Sequence, residues 1–177
     1  SKAYQFNSTF DKNVVLIGMM GSGKTLKGKL LAEKLCMKFA DIDEEIEKEQ
    51  KMSISEIFKE KDADFFRNLE KEKVCEFSEK KGYVISTGGG VVLDNQNMLL
   101  LKQNGVIIFL NRGIDEIATT IDIKNRPLLK NGLQNLYDIF NERLSLYKKW
   151  CDIEITGDFK TIDDAVNEIA KQIFMLG

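Results

Sequence analysis

Gly18-Met19-Met20-Gly21-Ser22-Gly23-Lys24-Thr25 is the stretch of the chain that decides its fold. It matches the pattern G-x-x-x-x-G-K-[ST], with an apolar run at residues 14–17 before it and an amphipathic helical pattern after it. Glycines at these positions let successive backbone N–H groups converge on phosphate oxygens, and the positive end of the following helix attracts the same anion. The stretch therefore predicts a nucleotide-binding phosphate loop, the Walker A motif.

Short apolar runs alternate with longer segments of helical period along the rest of the chain. The runs predict strands at residues 14–17, 39–42, 84–85, 106–110 and 153–155, and the helical period is clearest over residues 24–38 and 65–80. Strand, helix and strand in repetition favour a parallel sheet, and nearly continuous apolar strands favour burial on both faces. We predict an α/β fold of three layers, in which helices flank a five-stranded parallel sheet.

The composition fits one globular domain over residues 1–177, since 43% of the residues are hydrophobic and 31% are charged. The formal net charge is only −2 and no basic block stands out, so nucleic acid is not an expected partner. No apolar run approaches the ~20 residues of a membrane span. Residues 1–13, which we interpret as an N-terminal extension, lack the apolar region of a signal peptide. We expect no membrane partner and a cytoplasmic protein.

Cysteine and histidine usage limits the chemistry. Cys36, Cys75 and Cys151 are odd in number and widely spaced, so neither a disulfide framework nor a zinc site is predicted. The chain has no histidine, which removes imidazole bases and most transition-metal sites. Acid–base chemistry must therefore fall to carboxylates or lysine.

The phosphate loop supplies the candidate ATP contacts. Lys24 would bridge the β- and γ-phosphates, and the hydroxyl of Thr25 would be a ligand of Mg²⁺, whose other ligands are mainly water and phosphate oxygens. The predicted ATP contacts in the loop are Met20, Gly21, Ser22, Gly23, Lys24 and Thr25. Because phosphate loops serve motors, switches and small-molecule kinases alike, the loop predicts a nucleotide and leaves the reaction open.

Asp41 and Asp43 lie at the end of the second predicted strand, where ligands bind in α/β folds. Strand alternation would place both carboxylates on one side. One could then orient the water shell of Mg²⁺ while the other accepted a proton from an attacking hydroxyl. The alternative is a helix start, with Asp43 as the N-cap before Glu44 and Glu45. By itself the pattern favours neither reading.

Arginine is scarce in this lysine-rich chain. A guanidinium binds a carboxylate or phosphate through two parallel hydrogen bonds, a geometry that lysine cannot copy. The four positions that keep arginine are therefore candidate sites for anionic groups: Arg67, Arg112, Arg126 and Arg143.

Several short motifs, in their order along the chain, resemble those of the shikimate kinase family. They are the phosphate loop, Asp41-Ile42-Asp43, Ile57-Phe58, Phe66-Arg67, Gly88-Gly89-Gly90, Arg126-Pro127-Leu128-Leu129 and Arg143 with Leu146-Tyr147. The resemblance runs from about residue 14 to about residue 170. It implies the P-loop kinase fold, with an acceptor-binding helical region at about 44–80 and a mobile lid at about 119–133. It also implies transfer of the ATP γ-phosphate to the 3-hydroxyl of shikimate, a step towards chorismate and the aromatic amino acids.

The resemblance gives the matching residues their roles. Arg67 and Arg143 would hold the shikimate carboxylate, while Asp43 would bind ring hydroxyls and act as, or closely assist, the general base. Arg126, in the lid, would contact ATP and neutralise charge during transfer. The catalytic residues implied are Lys24, Asp43 and Arg126.

Glycines and aromatic residues complete the implied acceptor pocket. The three glycines at 88–90 would bring backbone close to the substrate and permit left-handed backbone angles, or they would form a plain turn. Phe58, Phe66 and Glu70 match pocket positions of the family, although the two phenylalanines fit a helix core equally well.

The magnesium site also follows the family pattern. Many P-loop proteins carry an acidic residue at the end of the third strand, where this chain has Ser86 and Thr87. We therefore expect Asp41 to act on Mg²⁺ through water.

The adenine site departs from the family pattern. Family members carry an arginine that stacks on adenine about seven residues before the lid arginine, and this chain has Thr119 and Thr120 in that region. Phe159, in the turn after the last strand, is our candidate for a compensating contact. Arg112 matches no acceptor position, and we interpret it as structural or phosphate-side support.

Two other readings stay open at this point. A gluconate kinase or a nucleoside monophosphate kinase would share the loop and the lid but accept another group, and a degenerate relative would bind ATP without transferring phosphate. The acceptor residues favour a small polyhydroxylated acid, and intact Lys24, Asp43 and Arg126 favour an active enzyme. We expect ATP and shikimate as small-molecule partners, Mg²⁺ as the cofactor, and a monomer.

Overall fold

The computed structural model describes residues 11–122, 126, 129 and 132–176. Most of the predicted N-terminal extension and much of the predicted lid, including Pro127 and Leu128, lie outside the described residues. Both predictions stay predictions in those parts of the chain.

The described chain alternates between strands and helices. The five strands are β1 (Asn13–Ile17), β2 (Lys38–Asp41), β3 (Tyr83–Ser86), β4 (Gly105–Leu110) and β5 (Ile153–Ile155). The helices are α1 (Lys24–Leu35), α2 (Ile42–Gln50), α3 (Ile54–Glu60), α4 (Ala63–Ser78), α5 (Asn95–Gln103), α6 (Ile114–Thr120), α7 (Leu133–Trp150) and α8 (Ile162–Leu176), with a short 3₁₀ turn at Val91–Leu93.

The strands form one five-stranded sheet in the order β2-β3-β1-β4-β5, and every neighbouring pair is parallel. β1 is the central strand, with Val15 opposite Ile85 of β3 and Ile107 of β4. The predicted parallel sheet is confirmed.

Helices cover both faces of the sheet because successive side chains of a strand point to opposite faces. On one face, Val14 and Leu16 of β1 pack with apolar side chains of α1 and α8. On the other face, Val15 and Ile17 pack with apolar side chains of α2, α4, α5 and α7. All four β1 side chains are fully buried, so the three predicted layers are confirmed. Within the described ranges, no helix combines the length and apolar character that crossing a membrane would require.

The end of β2 differs from the prediction. The strand was expected to run to Ile42, but it ends at Asp41, and Ile42 is the first residue of α2. The Asp41 carboxylate accepts a hydrogen bond from the backbone N–H of Glu44 at 2.9 Å, which caps the helix and stops the strand. Strand alternation is therefore the wrong reason for placing Asp41 and Asp43 together, and the N-cap is Asp41, not Asp43.

Other element ends shift by a few residues. The predicted helix 24–38 ends at Leu35, because Cys36 adopts the left-handed conformation with φ 54° and Lys38 already belongs to β2. The helix predicted over 65–80 begins at Ala63, since the side chain of Asp62 accepts from the N–H of Phe65 at 2.8 Å and caps it. It ends at Ser78.

Asn13 belongs to the sheet and not to the predicted extension. It is buried, its Nδ2 donates to the carbonyl of Lys80 at 2.8 Å, and its Oδ1 accepts from the N–H of Tyr83 at 3.0 Å. These bonds connect the start of β1 to the start of β3. β3 and β4 are likewise longer than predicted, beginning at Tyr83 and Gly105.

Candidate active site

The candidate site lies where the strands end. The phosphate loop follows β1, Asp41 is the last residue of β2, and the glycines at 88–90 follow β3. Because these strands are parallel neighbours, their carboxyl ends meet at one edge of the sheet. The fold therefore brings together segments that are far apart in the sequence.

The phosphate loop takes the backbone conformation that its glycines allow. Gly18, Gly21 and Gly23 have φ values of 149°, 79° and 83°, which side chains rarely tolerate. Lys24 is buried, and its Nζ donates to the carbonyls of Gly18 at 2.6 Å and Met19 at 2.8 Å. Burial lowers the pKa of Lys24 to about 8, although the charges of Asp43 and Asp41 oppose the shift.

Two further cations hold carbonyls of the loop. Nη1 of Arg112 donates to the carbonyl of Gly21 at 2.8 Å, and Nζ of Lys27 donates to the carbonyl of Ser22 at 3.0 Å. Arg112 also pairs with Glu116 at 3.1 Å. These contacts agree with the interpretation of Arg112 as support for the loop. Lys27 was not predicted, although its place one helical turn after Gly23 was a usable signal.

Oxygen groups suited to magnesium lie beside the loop. Oγ1 of Thr25 donates to Oδ2 of Asp41 at 2.5 Å. Ser86 is the sheet neighbour of Asp41, and its buried Oγ lacks a hydrogen-bond partner among the described residues. A hydroxyl, a carboxylate and an unpartnered hydroxyl at one edge are the hard oxygen donors that Mg²⁺ and its water shell prefer, so these residues fit the ion.

A small cavity of about 90 Å³ contains the predicted acceptor site. It is lined by every residue predicted to bind the acceptor: Asp43, Phe58, Phe66, Arg67, Glu70, Gly88, Gly89, Gly90 and Arg143. Arg126 lines it too. Met20, assigned to ATP from the sequence, also faces this cavity, and Ile54 lines it without having been predicted. Ile54 follows the helix cap Ser53, so its position in the first turn of α3 was the available signal.

Asp43 presents an unsatisfied carboxylate to the cavity. The residue is half-buried, and its Oδ1 is buried without a hydrogen-bond partner among the described residues. Burial raises the pKa of Asp43 to about 7, and the neighbouring Asp41 and Glu70 carboxylates add to this shift, while Lys24 opposes it. A group with a pKa near neutrality is suited to accept a proton.

Arg67 and Arg143 differ in whether their guanidinium groups have hydrogen-bond partners in the protein. Nη1 of Arg67 pairs with Oε1 of Glu70 at 2.9 Å, and burial raises the pKa of Glu70 although Arg67 opposes the shift. Arg143 is only 5% exposed, and its Nε and Nη1 have no hydrogen-bond partner within the part of the chain that the structure describes. A buried guanidinium with free donors is costly unless an anion binds to it.

The glycines at 88–90 make room for charged side chains. A Cβ at Gly90 would lie 2.4 Å from Nη2 of Arg67, and one at Gly88 would lie 2.9 Å from Oδ1 of Asp43. A larger residue at Gly90 or Gly88 would therefore displace the guanidinium of Arg67 or the carboxylate of Asp43. None of the three has a positive φ, so the expectation of left-handed backbone angles was wrong.

Phe58 and Phe66 were predicted either to line the acceptor pocket or to pack in a helix core, and the structure places them in both positions. The ring centroids of Phe58 and Phe66 are 5.0 Å apart, and Phe66 is buried in the core while Phe58 packs against it. Both also line the acceptor cavity, and the guanidinium of Arg67 lies 5.3 Å from the centre of the Phe66 ring. The core thus forms the apolar wall of the cavity.

A larger cavity of about 530 Å³ lies on the other side of the phosphate loop. Its polar wall includes Ser22, Gly23, Lys27, Asn111, Arg112 and Glu116, and its apolar wall includes Leu26, Leu110, Ile155, Phe159, Ile162 and Ile169. Phe159 thus shares this cavity with Ser22 and Gly23 of the phosphate loop, and its contact with adenine stays a prediction. Thr119 and Thr120 direct their hydroxyls to carbonyls of their own helix, including that of Glu116.

Comparisons with known proteins agree with this geometry. A family model described as shikimate kinase matches residues 20–174. The shikimate kinase of Clostridium botulinum strain Eklund 17B is 42% identical over 160 residues, covering 90% of this chain and 96% of that protein. The shikimate kinase of Caldicellulosiruptor saccharolyticus is 46% identical over 161 residues, covering 89% and 93%. The solved structure of shikimate kinase from Acinetobacter baumannii in complex with shikimate has a TM-score of 0.88, at 34% identity and 93% coverage of both chains.

Proposed function

Since the chain belongs to the shikimate kinase family and transfers the γ-phosphate of ATP to the 3-hydroxyl of shikimate, we propose that Lys24, Asp43 and Arg126 carry out this transfer. The product is shikimate 3-phosphate, in the pathway to chorismate and the aromatic amino acids.

The observation that carries the residue assignment is the pair of unsatisfied, opposite charges facing one small cavity. Arg143 offers free guanidinium donors, and Asp43 offers a free carboxylate oxygen. A small acid with ring hydroxyls supplies both missing partners, because its carboxylate binds arginine in a planar fork and its hydroxyls donate to Asp43. Arg67, held by Glu70 at 2.9 Å, is the second cation for the carboxylate.

In the proposed mechanism, Asp43 accepts the proton of the attacking hydroxyl. Its pKa of about 7 lets it hold that proton while the oxygen attacks the γ-phosphorus in line. Lys24 leaves the carbonyls of Gly18 and Met19 and donates to the β- and γ-phosphates instead. Arg126 lines the cavity and neutralises charge on the transferred group.

Thr25 and Asp41 are the proposed magnesium residues, Thr25 directly and Asp41 through water. These residues would hold Mg²⁺, which when bound would supply positive charge against the phosphates. The hydrogen bond between Thr25 and Asp41 holds both oxygens in place, and Asp41 is fixed further because it caps α2.

Broader assignments accompany this mechanism. We assign the nucleotide to the 530 Å³ cavity, where the phosphate loop forms one wall. Residues at about 44–80 and 119–133 are the acceptor-binding region and the lid of a single domain that spans 1–177. We also assign the protein to the cytoplasm, because its proposed reaction consumes ATP.

The test is ADP release with Mg-ATP and a panel of acceptors: shikimate, quinate, gluconate and AMP, each against a control without acceptor. We expect turnover with shikimate alone. A Lys24→Met variant purified in the same way is the matched control, because any turnover it shows comes from contaminating kinases. Turnover with gluconate or AMP and none with shikimate would contradict the proposed acceptor.

A further inference from the structure

Tyr147 is a buried side chain of α7 that the mechanism does not use. The residue is completely buried, and its ring stacks on Phe109 of β4 with centroids 5.0 Å apart. Its hydroxyl lies 2.5 Å from the carbonyl oxygen of Gly89 and 3.7 Å from the sulfur of Met19. A core tyrosine thus connects α7 with the glycine turn and with the start of the phosphate loop.

The partner of this hydroxyl lies at a crowded point of the acceptor site. A Cβ at Gly89 would lie 3.3 Å from the backbone nitrogen of Met20 and 3.4 Å from Nη1 of Arg143. The glycine turn therefore rests on the phosphate loop and beside Arg143. Because a peptide bond is planar and trans, the direction of the Gly89 carbonyl also fixes the direction of the N–H of Gly90.

The protonation state of Tyr147 makes the direction of the hydrogen bond definite. Burial raises the pKa of Tyr147 to about 12, although the charge of Arg143 and a side-chain hydrogen bond between Arg143 and the hydroxyl oppose the shift. The hydroxyl keeps its proton at neutral pH and donates it to the carbonyl of Gly89. A phenylalanine would keep the stack on Phe109 but would leave this carbonyl without its donor.

We propose that Tyr147 is a positioning residue for the acceptor: its hydroxyl fixes the peptide between Gly89 and Gly90, and with it the wall that faces Arg143 and Arg67. This inference rests on the proposed acceptor site. Tyr147 does not line the acceptor cavity, and it acts by holding the glycine turn in place beside the two arginines.

Tyr147→Phe tests the inference, with Tyr137→Phe as the matched control. Tyr137 lies on the same helix, and its hydroxyl donates to Asp115 at 2.7 Å, so the control also loses one hydrogen bond. We expect Tyr147→Phe to raise KM for shikimate about tenfold, a typical loss for one buried hydrogen bond, and to leave KM for ATP within about twofold. Tyr137→Phe should change neither constant.

An unchanged KM for shikimate in folded Tyr147→Phe, or an equal rise of both KM values, would overturn the inference. Wild-type protein without shikimate-dependent turnover would instead count against the proposed acceptor. A second comparison uses Arg143→Lys, because Nη1 of Arg143 lies beside the same glycine. Adding Tyr147→Phe to that variant should raise KM for shikimate by clearly less than it does in wild type. A full tenfold rise there would show that Tyr147 does not act through this wall.

Discussion

The ionised carboxylate of Asp43 lowers the stability of the folded protein. Its Oδ1 is buried without a partner among the described residues, and its pKa is raised from 3.8 to about 7. Between these values the unfolded chain releases the proton while the folded protein keeps it, so this group lowers stability as the pH rises. Above pH 7 the full cost is present. The site thus keeps a destabilising charge that the proposed chemistry needs.

Asp43→Asn should therefore stabilise the protein in a pH-dependent way. An amide removes the charge, and the pKa difference contributes roughly 2–3 kcal/mol between pH 5 and pH 8. The variant should therefore gain Tm over wild type by about 5–10 °C more at pH 8 than at pH 5, given about 2–4 °C per kcal/mol for a chain of this length. Thermal unfolding followed by circular dichroism at both pH values measures this difference, and turnover should be lost. A Tm difference that is equal at the two pH values would mean that Asp43 is already ionised at pH 5.

Phe159 is the residue that we predict to contact adenine. It lies on the apolar wall of the larger cavity, while the hydroxyls of Thr119 and Thr120 serve their own helix. Phe159→Ala should raise KM for ATP about fivefold or more and leave KM for shikimate unchanged, because stacking on one base contributes about 1–3 kcal/mol. Leu99→Ala, at an exposed position of α5, is the control. An unchanged KM for ATP would remove Phe159 from the adenine site.

For individual residues, the sequence predicted which side chains lie together in the site, but not the contacts that position them. The arginine and glycine roles came from the resemblance, since Arg67 and Arg143 are too far apart in sequence for periodicity to relate them. Asp41 and Asp43 were predicted to lie together, yet the reason is a helix cap and not strand alternation. Tyr147 was part of a motif that carried the resemblance, but it received no role, because the sequence does not show that its hydroxyl reaches Gly89.

Helix α1 lies unusually close to the sheet at Gly28. A Cβ at this position would lie 2.7 Å from Cε2 of Phe39 and 3.2 Å from Cδ1 of Leu16. Two effects oppose each other in Gly28→Ala: alanine is better than glycine in a helix by about 1 kcal/mol, whereas forcing an extra group into a packed core costs about 1–3 kcal/mol. Since the clash involves a ring against the sheet, we expect the packing cost to be larger.

Gly28→Ala should therefore lower Tm by about 2–4 °C, with thermal unfolding as the measurement. The same substitution in a Phe39→Leu background, where the ring is gone, should raise Tm relative to Phe39→Leu alone. If Gly28→Ala stabilises the protein in both backgrounds, the close approach of α1 to the sheet does not limit its stability.

Element types were predictable because strands here are short apolar runs and helices carry an apolar stripe. Element ends were not, because they depend on single capping side chains. The side chain of Asp41 accepts a backbone N–H and starts α2, where the apolar pattern had predicted one more residue of strand. The side chain of Asp62 does the same for α4, which therefore begins two residues before the predicted start. Cys36 ends α1 through a left-handed conformation that is uncommon for a residue other than glycine, so its type gave no signal.

The surface of the described chain fits a monomer. Its exposed large apolar side chains are scattered, apart from Phe174, Met175 and Leu176 at the end of α8. Static light scattering on a size-exclusion column should give a mass near 20.2 kDa. A mass near twice that value would contradict this prediction, and charged substitutions at Met175 and Leu176 would then test whether the end of α8 forms the interface.

The whole fold was the most predictable level, because the phosphate loop fixes a strand before it and a helix after it, and the alternation of elements then requires parallel pairing. The order of strands was not predicted, since it depends on contacts between distant segments.

The central place of β1 has a consequence for synthesis on the ribosome. β1 leaves the exit tunnel first, yet its partners β3 and β4 follow about 70 and 90 residues later. At about 5–20 residues per second, the nascent chain waits several seconds or longer with both edges of an apolar strand open. The phosphate loop cannot take its final shape during that interval, and a chain that stalls before β4 exposes a strand edge on which neighbouring chains can aggregate. Slow codons between β3 and β4 should therefore reduce the yield of folded enzyme more than slow codons after β5.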